Sequence, residues 1–243
     1  MQRKLFNILN SLWGESLAIA LTILLYPFKF TKLDKVRPGA DILLIHGYLH
    51  NDSAWRWFRK KLQNGGAGPV NTVCYPSLKK GIPECSFYLK EKIEEIRKHT
   101  GREPLVLIGH SEGGLVALEY ALMHAPKDQK TFVITLGTPL QGLNPFKGGI
   151  GPAPKQMMRG SSFLKSLKER LEEAHHLEIL AIGSGADLII NPPSAAFLPD
   201  LPTATNIGLA NLGLMQLIYS KRVTQAILAF LEEHKLLHSV NCL

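Results

Sequence analysis

Between residues 41 and 237 short apolar runs alternate with longer amphipathic stretches, and this alternation limits the possible folds more than any other feature of the chain. The runs at 42–45, 70–75, 105–108, 132–136 and 179–182 predict strands, with a weaker sixth at 203–209. The stretches at 54–63, 85–98, 112–123, 162–174 and 217–235 have helical spacing; in the last, Val223, Ile227, Phe230 and Leu231 share one face. Strands that alternate with helices form a parallel sheet crossed by helices, so the expected class is α/β, a mostly parallel sheet flanked by helices. In open sheets of this kind ligands bind at the carboxyl ends of the strands. Function is therefore sought in the segments that follow each strand.

A chain of 243 residues suits one large domain better than two. The expected division is an N-terminal apolar helix with a basic linker, residues 1–38, and a single α/β domain, residues 39–243. With 45% hydrophobic and 20% charged residues, and 21 Gly and 15 Pro scattered along the chain, the composition excludes collagen-like, coiled-coil and disordered classes. Cys74, Cys85 and Cys242 lack metal-ligand spacing and cannot all pair within one chain, so neither a metal site nor a disulfide framework is expected. The net charge of +8 favours an anionic contact such as a membrane surface. The basic residues lie in dispersed pairs (Lys60/Lys61, Lys79/Lys80, Lys221/Arg222) without interleaved aromatics, which argues against nucleic acid as a partner.

An uncharged stretch of 13 residues, 16–28, follows Glu15. As a helix it would span only about 20 Å, less than the ~30 Å hydrocarbon core of a bilayer. Extending the count back to Leu5 gives the length but places Glu15 in lipid. The expectation is a membrane-associated protein with an anchor or interfacial helix over residues 5–28 and no orientation fixed by the flanking charges; the alternative is a helix packed on the domain of a cytoplasmic protein.

After the third predicted strand comes Gly109-His110-Ser111-Glu112-Gly113, a G-x-S-x-G that opens a helix. Glycines two residues before and after allow a sharp turn that holds the serine in a strained, exposed conformation, above the positive end of the helix dipole. That context makes Ser111 the candidate nucleophile. The ordered set LLIHGYLHNDSAW, LVLIGHSEGGLVA, ITLGTPLQG, GSGADLII and YSKRV resembles the bacterial lipase and esterase-like branch of the α/β-hydrolase superfamily over residues 41–237. The resemblance implies an α/β-hydrolase-type fold, no cofactor, an oxyanion hole from the backbone N–H groups of Tyr48 and Glu112, and Asp187 as the triad acid. It also implies a structural role for His46, a pocket wall near Pro139 and Gly142, and a lid or cap over residues 143–162, for which a surface loop packed on itself is the alternative.

The same resemblance calls for a catalytic histidine after the acid, in the loop before the last helix. Aligned back from Ser220 and Val223, Gly213 takes the place of the glycine that precedes it, and Leu214 the place of the histidine; none lies between Asp187 and His234. Leucine accepts no proton, so Ser111 would lack its usual base. His50, beside the oxyanion turn, is the alternative base. The expected function is a serine hydrolase of lipase or esterase type acting on carboxylic, including lipid, esters. The alternative is an impaired hydrolase-fold protein that binds a lipid or a protein partner.

Overall fold

The structure, a computed structural model, describes residues 14–20, 24, 33–102, 106–144, 149–187 and 189–238. Six strands, β1 (Ile42–Ile45), β2 (Val70–Val73), β3 (Val106–His110), β4 (Thr131–Leu136), β5 (Leu177–Ser184) and β6 (Ala204–Leu209), form one sheet in the order β2-β1-β3-β4-β5-β6. Every pairing is parallel. Strands β1 to β4 are buried at each residue, because helices cover both faces of a parallel sheet. Of the two edge strands, β2 is buried and β6 is half-buried or exposed throughout, which explains why the apolar signal of β6 is the weakest in the sequence.

Around the sheet pack α1 (Arg56–Asn64), α2 (Ile82–Thr100), α3 (Glu112–Met123), α4 (Ala153–Gln156), α5 (Ser162–Glu172) and α6 (Lys221–Glu233). Helix α3 is buried from Glu112 to Leu122, and α6 buries the predicted face of Val223, Ile227, Phe230 and Leu231. The helix expected from 217 starts only at Lys221, where the Ser220 side chain accepts the Val223 N–H; residues Met215–Ile218 form a separate 3-10 turn. Residues 33–38 are pinned to the β2 side. Asp34 accepts the Val70 N–H at 2.9 Å, its own N–H donates to Asn71 Oδ1 at 2.8 Å, and Arg59 and Arg37 pair with its carboxylate at 2.9 and 3.1 Å.

Most of the apolar segment 5–28 lies outside the described residues. Among those described, no helix is long and apolar enough to cross a membrane.

The chain leaves β1 for β2 on one side, returns past β1 to β3, and then proceeds strand by strand to β6. The order therefore reverses between β1 and β3, and a crevice opens there at the carboxyl ends of the strands. His46 and Gly47 stand on one side of it, Gly109 to Ser111 on the other.

Candidate active site

The register brings Ile45 of β1 level with Gly109 of β3, and His110 level with Leu136 of β4, so the first turn of α3 starts directly above the crevice. At Ser111 the backbone sits at φ 54° and ψ −123°, with its N–H donated to Leu136 O at 2.9 Å. A non-glycine residue in that region costs on the order of 1–3 kcal/mol and persists only when its surroundings impose it. Here close approach imposes it. A Cβ at Gly109 would lie 2.4 Å from the Gly113 carbonyl, and one at Gly113 would lie 2.3 Å from His46 O. Strand, turn and helix thus meet at distances that only glycine permits.

Ser111 is half-buried and opens onto an apolar pocket of about 440 Å³, whose wall also includes Tyr48, His50, Leu143, Met157 and Leu214. The wall expected at Pro139 and Gly142 is formed instead by Leu143 and Met157, both within the stretch expected as a lid. Gly142, at φ 83°, lets the Arg159 backbone approach, and Leu143 and Met158 form a bridge that fastens this stretch to the domain. Tyr48 ties the other side: its hydroxyl donates to Ile150 O at 2.6 Å and accepts the Ile150 N–H at 2.8 Å.

His46 faces away from the chemistry. Its ring stacks on Tyr75 with centroids 4.3 Å apart, its Nε2 accepts the Tyr75 N–H, and its Nδ1 donates to Gly47 O at 2.9 Å. Glu112 is the first residue of α3 and fully buried. Neither of its carboxyl oxygens finds a partner among the described residues, and burial pushes its pKa up to about 8.

Asp187 follows β5, two strands from Ser111 on the side opposite β1. Its Oδ1 accepts the N–H groups of Ile189 and Ile190, both at 2.9 Å. Its Oδ2 is buried and lacks a partner among the described residues, and burial raises its pKa to about 6. Leu214 lies beside that oxygen. A Cβ at Gly137, in the loop after β4, would lie 2.4 Å from Leu214 Cδ1 and 3.5 Å from Asp187 Oδ2, so the two side chains converge on one point. Leu214 therefore stands beside the carboxylate and in the wall of the serine pocket at once.

Two histidines border the pocket. His110 donates Nε2–H to Leu214 O at 3.0 Å, and burial lowers its pKa to about 3. His50 lies 6.0 Å from the His110 ring between centroids; its Nδ1 is buried without a partner among the described residues, and burial lowers its pKa to about 4. Because β1 and β5 flank β3 on opposite sides, His50 and Asp187 approach Ser111 from opposite flanks. His124, His176 and His234 are engaged elsewhere, with Ser86 Oγ, the Ala121 carbonyl and the Phe132 and Phe230 rings respectively. Among the described residues no group of three or more His, Cys, Asp or Glu is placed to hold a metal ion.

A family model described as "Alpha/beta hydrolase family" matches residues 42–227. The chain belongs to that family. Solved structures agree on the fold. A lipase of Bacillus licheniformis, BlEst2 in its mature form, superposes with a TM-score of 0.65 at 17% identity, covering 83% of this chain and 95% of that one. A monoacylglycerol lipase of Paleococcus ferrophilus gives 0.59 at 18% identity over 84% of this chain and all of that one. Aspergillus fumigatus lipase B gives 0.66 at 17% identity, over 78% of this chain and 52% of its own. No curated protein matches the sequence.

Residues that reasoning from sequence did not single out for the site are Glu15, Ile19, Ile189 and Ile190. The isoleucines looked like ordinary apolar positions. Glu15 had a signal, the charge that interrupts an otherwise apolar segment.

Proposed function

We propose that this member of the alpha/beta hydrolase family is a serine hydrolase of lipase or esterase type, acting on carboxylic esters with an apolar acyl chain, and that it turns over slowly. The strained backbone of Ser111 at the mouth of an apolar pocket carries the reading: the close meeting of strand, turn and helix holds the serine in that conformation and turns it toward the pocket. In this reading the ester carbonyl sits over Ser111, with the backbone N–H groups of Tyr48 and Glu112 toward the developing oxyanion and the amino end of α3 beneath it. The acyl chain lies among Leu143, Met157 and Ile190. Ser111 Oγ bonds to the carbonyl carbon, the alcohol leaves with a proton, and water releases the acid in a second displacement.

The slow step is proton removal from Ser111. His50 is the alternative base. With its pKa lowered to about 4 it is neutral at pH 7 and able to accept a proton, but it is a weak base far from the pH at which it works. Expected results with p-nitrophenyl butyrate are measurable but slow hydrolysis by the parent, none by Ser111→Ala, and a loss of at least about tenfold in His50→Ala. The orphaned Asp187 Oδ2 behind Leu214 favours a second reading, a lipid-binding protein that has given up turnover. A parent that hydrolyses no ester while an acyl chain co-purifies with it would decide for that one.

Substrate access is proposed to be from a membrane surface through residues 5–28. Leu17 and Leu24 are exposed there, Leu49, Ile150 and Ile189 are exposed on the segments around the pocket, and the chain carries a charge of +8.

A further inference from the structure

Residues 14–20 form a helical segment in which Glu15, Ala18 and Ile19, spaced i, i+3 and i+4, share one face. That face is docked. One carboxylate oxygen of Glu15 accepts the Met215 N–H at 2.8 Å and the other accepts the Gln216 N–H at 3.1 Å. These groups open the 3-10 turn Met215–Ile218, and the residue before it, Leu214, has no side chain able to cap them. A carboxylate two hundred positions earlier in the chain thus caps the loop on which position 214 lies. The approach is close: a Cβ at Gly213 would lie 2.2 Å from Glu15 Oε2, and the Gly213 N–H is taken by Gln216 Oε1 at 2.7 Å. Ala18 is buried, and Ile19, one turn beyond Glu15, lines the same pocket as Ser111, Leu214 and Met215.

We propose that residues 14–20 are the outer wall of the pocket, with Glu15 the positioning residue that fixes the loop carrying position 214, and Ile19 the residue that limits the acyl chain the pocket takes. The word acyl rests on the ester-hydrolase reading; the docking of the segment does not. A long chain extends from Ser111 along the wall to Ile19, whereas a short one ends before it. Chain-length selectivity is therefore set by the segment that, by sequence, resembles a membrane anchor. A helix clamped through Glu15 lies on the domain with its outer face, including Leu17, free for a lipid surface and with Ile19, 40% exposed, at the open side of the pocket.

The test uses the full chain as parent, Glu15→Gln, Glu15→Ala and Ile19→Trp. Amide exchange of residues 213–218 quickens at least about tenfold in Glu15→Ala and is largely restored in Glu15→Gln, which keeps one acceptor oxygen, while residues 131–136 of β4 stay unchanged in both. Ile19→Trp lowers the ratio of kcat/KM for p-nitrophenyl laurate over p-nitrophenyl butyrate at least about tenfold. Equal exchange at 213–218 in parent and Glu15→Ala would overturn the clamp, and an unchanged laurate-to-butyrate ratio would overturn the wall. If the parent hydrolyses neither ester, the hydrolase reading falls on its own. The wall is then read from protection of the Leu214 and Met215 amides by sodium laurate, which Ile19→Trp abolishes if the wall is real and leaves intact if it is not.

Discussion

Leu214→His raises the turnover of p-nitrophenyl butyrate by about 10² to 10⁴, and Ser111→Ala in the same chain removes the whole gain. In the proposed reading position 214 is where the catalytic imidazole would stand. Its side chain ends at Gly137, beside the orphaned Oδ2 of Asp187, and borders the pocket onto which Ser111 opens. Its backbone is held on both sides, by His110 Nε2–H on its carbonyl and by Glu15 on the next two N–H groups. An imidazole there donates Nδ1–H to Asp187 Oδ2, which fixes the tautomer and leaves Nε2 to accept the Ser111 proton. The acid also gains: its pKa of about 6, raised by burial, falls once a cation forms beside it. In a related triad the loss of the histidine costs about 10⁶ in turnover, and recovery of part of that corresponds to about 3–5 kcal/mol of barrier. The measurement is steady-state hydrolysis by parent, Leu214→His and the double variant with Ser111→Ala. An unchanged rate in Leu214→His would show that position 214 is not where the base belongs, and His50 would then be the group to pursue.

The fold was legible because its determinants are local. Parallel strands that are buried on both faces leave uninterrupted apolar runs, and those of β1 and β4 place the strands within a residue of their observed limits. The elbow was legible for the same reason: its glycines answer to contacts made within a few residues of Ser111 and with the neighbouring β1 turn. What the sequence hid depends on pairs far apart. Nothing near Glu15 says that its carboxylate caps a turn at 215, and the charge looked like an obstacle to burial in lipid when it is a partner for two N–H groups. The pocket wall was similarly displaced from Pro139 and Gly142 to Leu143 and Met157, because the bridge between Leu143 and Met158 folds that stretch inward. The leucine at 214 was visible as an anomaly. Its consequence, a buried carboxylate oxygen without a donor, becomes apparent only when Gly137, Asp187 and Leu214 are seen to meet.

Stability should fall between pH 6.5 and 8.5 by about 2 kcal/mol more in the parent than in Glu112→Gln. Glu112 is sealed at the start of α3 with neither oxygen paired among the described residues, so burial disfavours its charged form and its pKa rises to about 8 from 4.5. In the unfolded chain the same carboxyl has lost its proton well below pH 6.5. Across the window the folded state therefore holds more protons than the unfolded one, and stability drops as pH rises until the folded carboxyl itself ionises near pH 8. His50 and His110, whose pKa values burial lowers to about 4 and about 3, act in the opposite direction, adding stability as pH rises through the unfolded histidine pKa near 6.5. Asp187, raised to about 6, has nearly finished titrating at the lower end of the window, and Cys85, raised to about 12, begins to matter only above it. His50, His110 and Asp187 are common to both proteins, and Cys85, part of whose upward shift comes from Glu112, titrates above the window, so the difference between parent and variant isolates Glu112. Urea midpoints at the two pH values give that difference directly, and about 2 kcal/mol corresponds to roughly 4–8 °C in Tm for a chain of this size. The same pH dependence in Glu112→Gln as in the parent would mean that the carboxyl is ionised in the folded protein, and that its charge is met by a donor or by water at the amino end of α3.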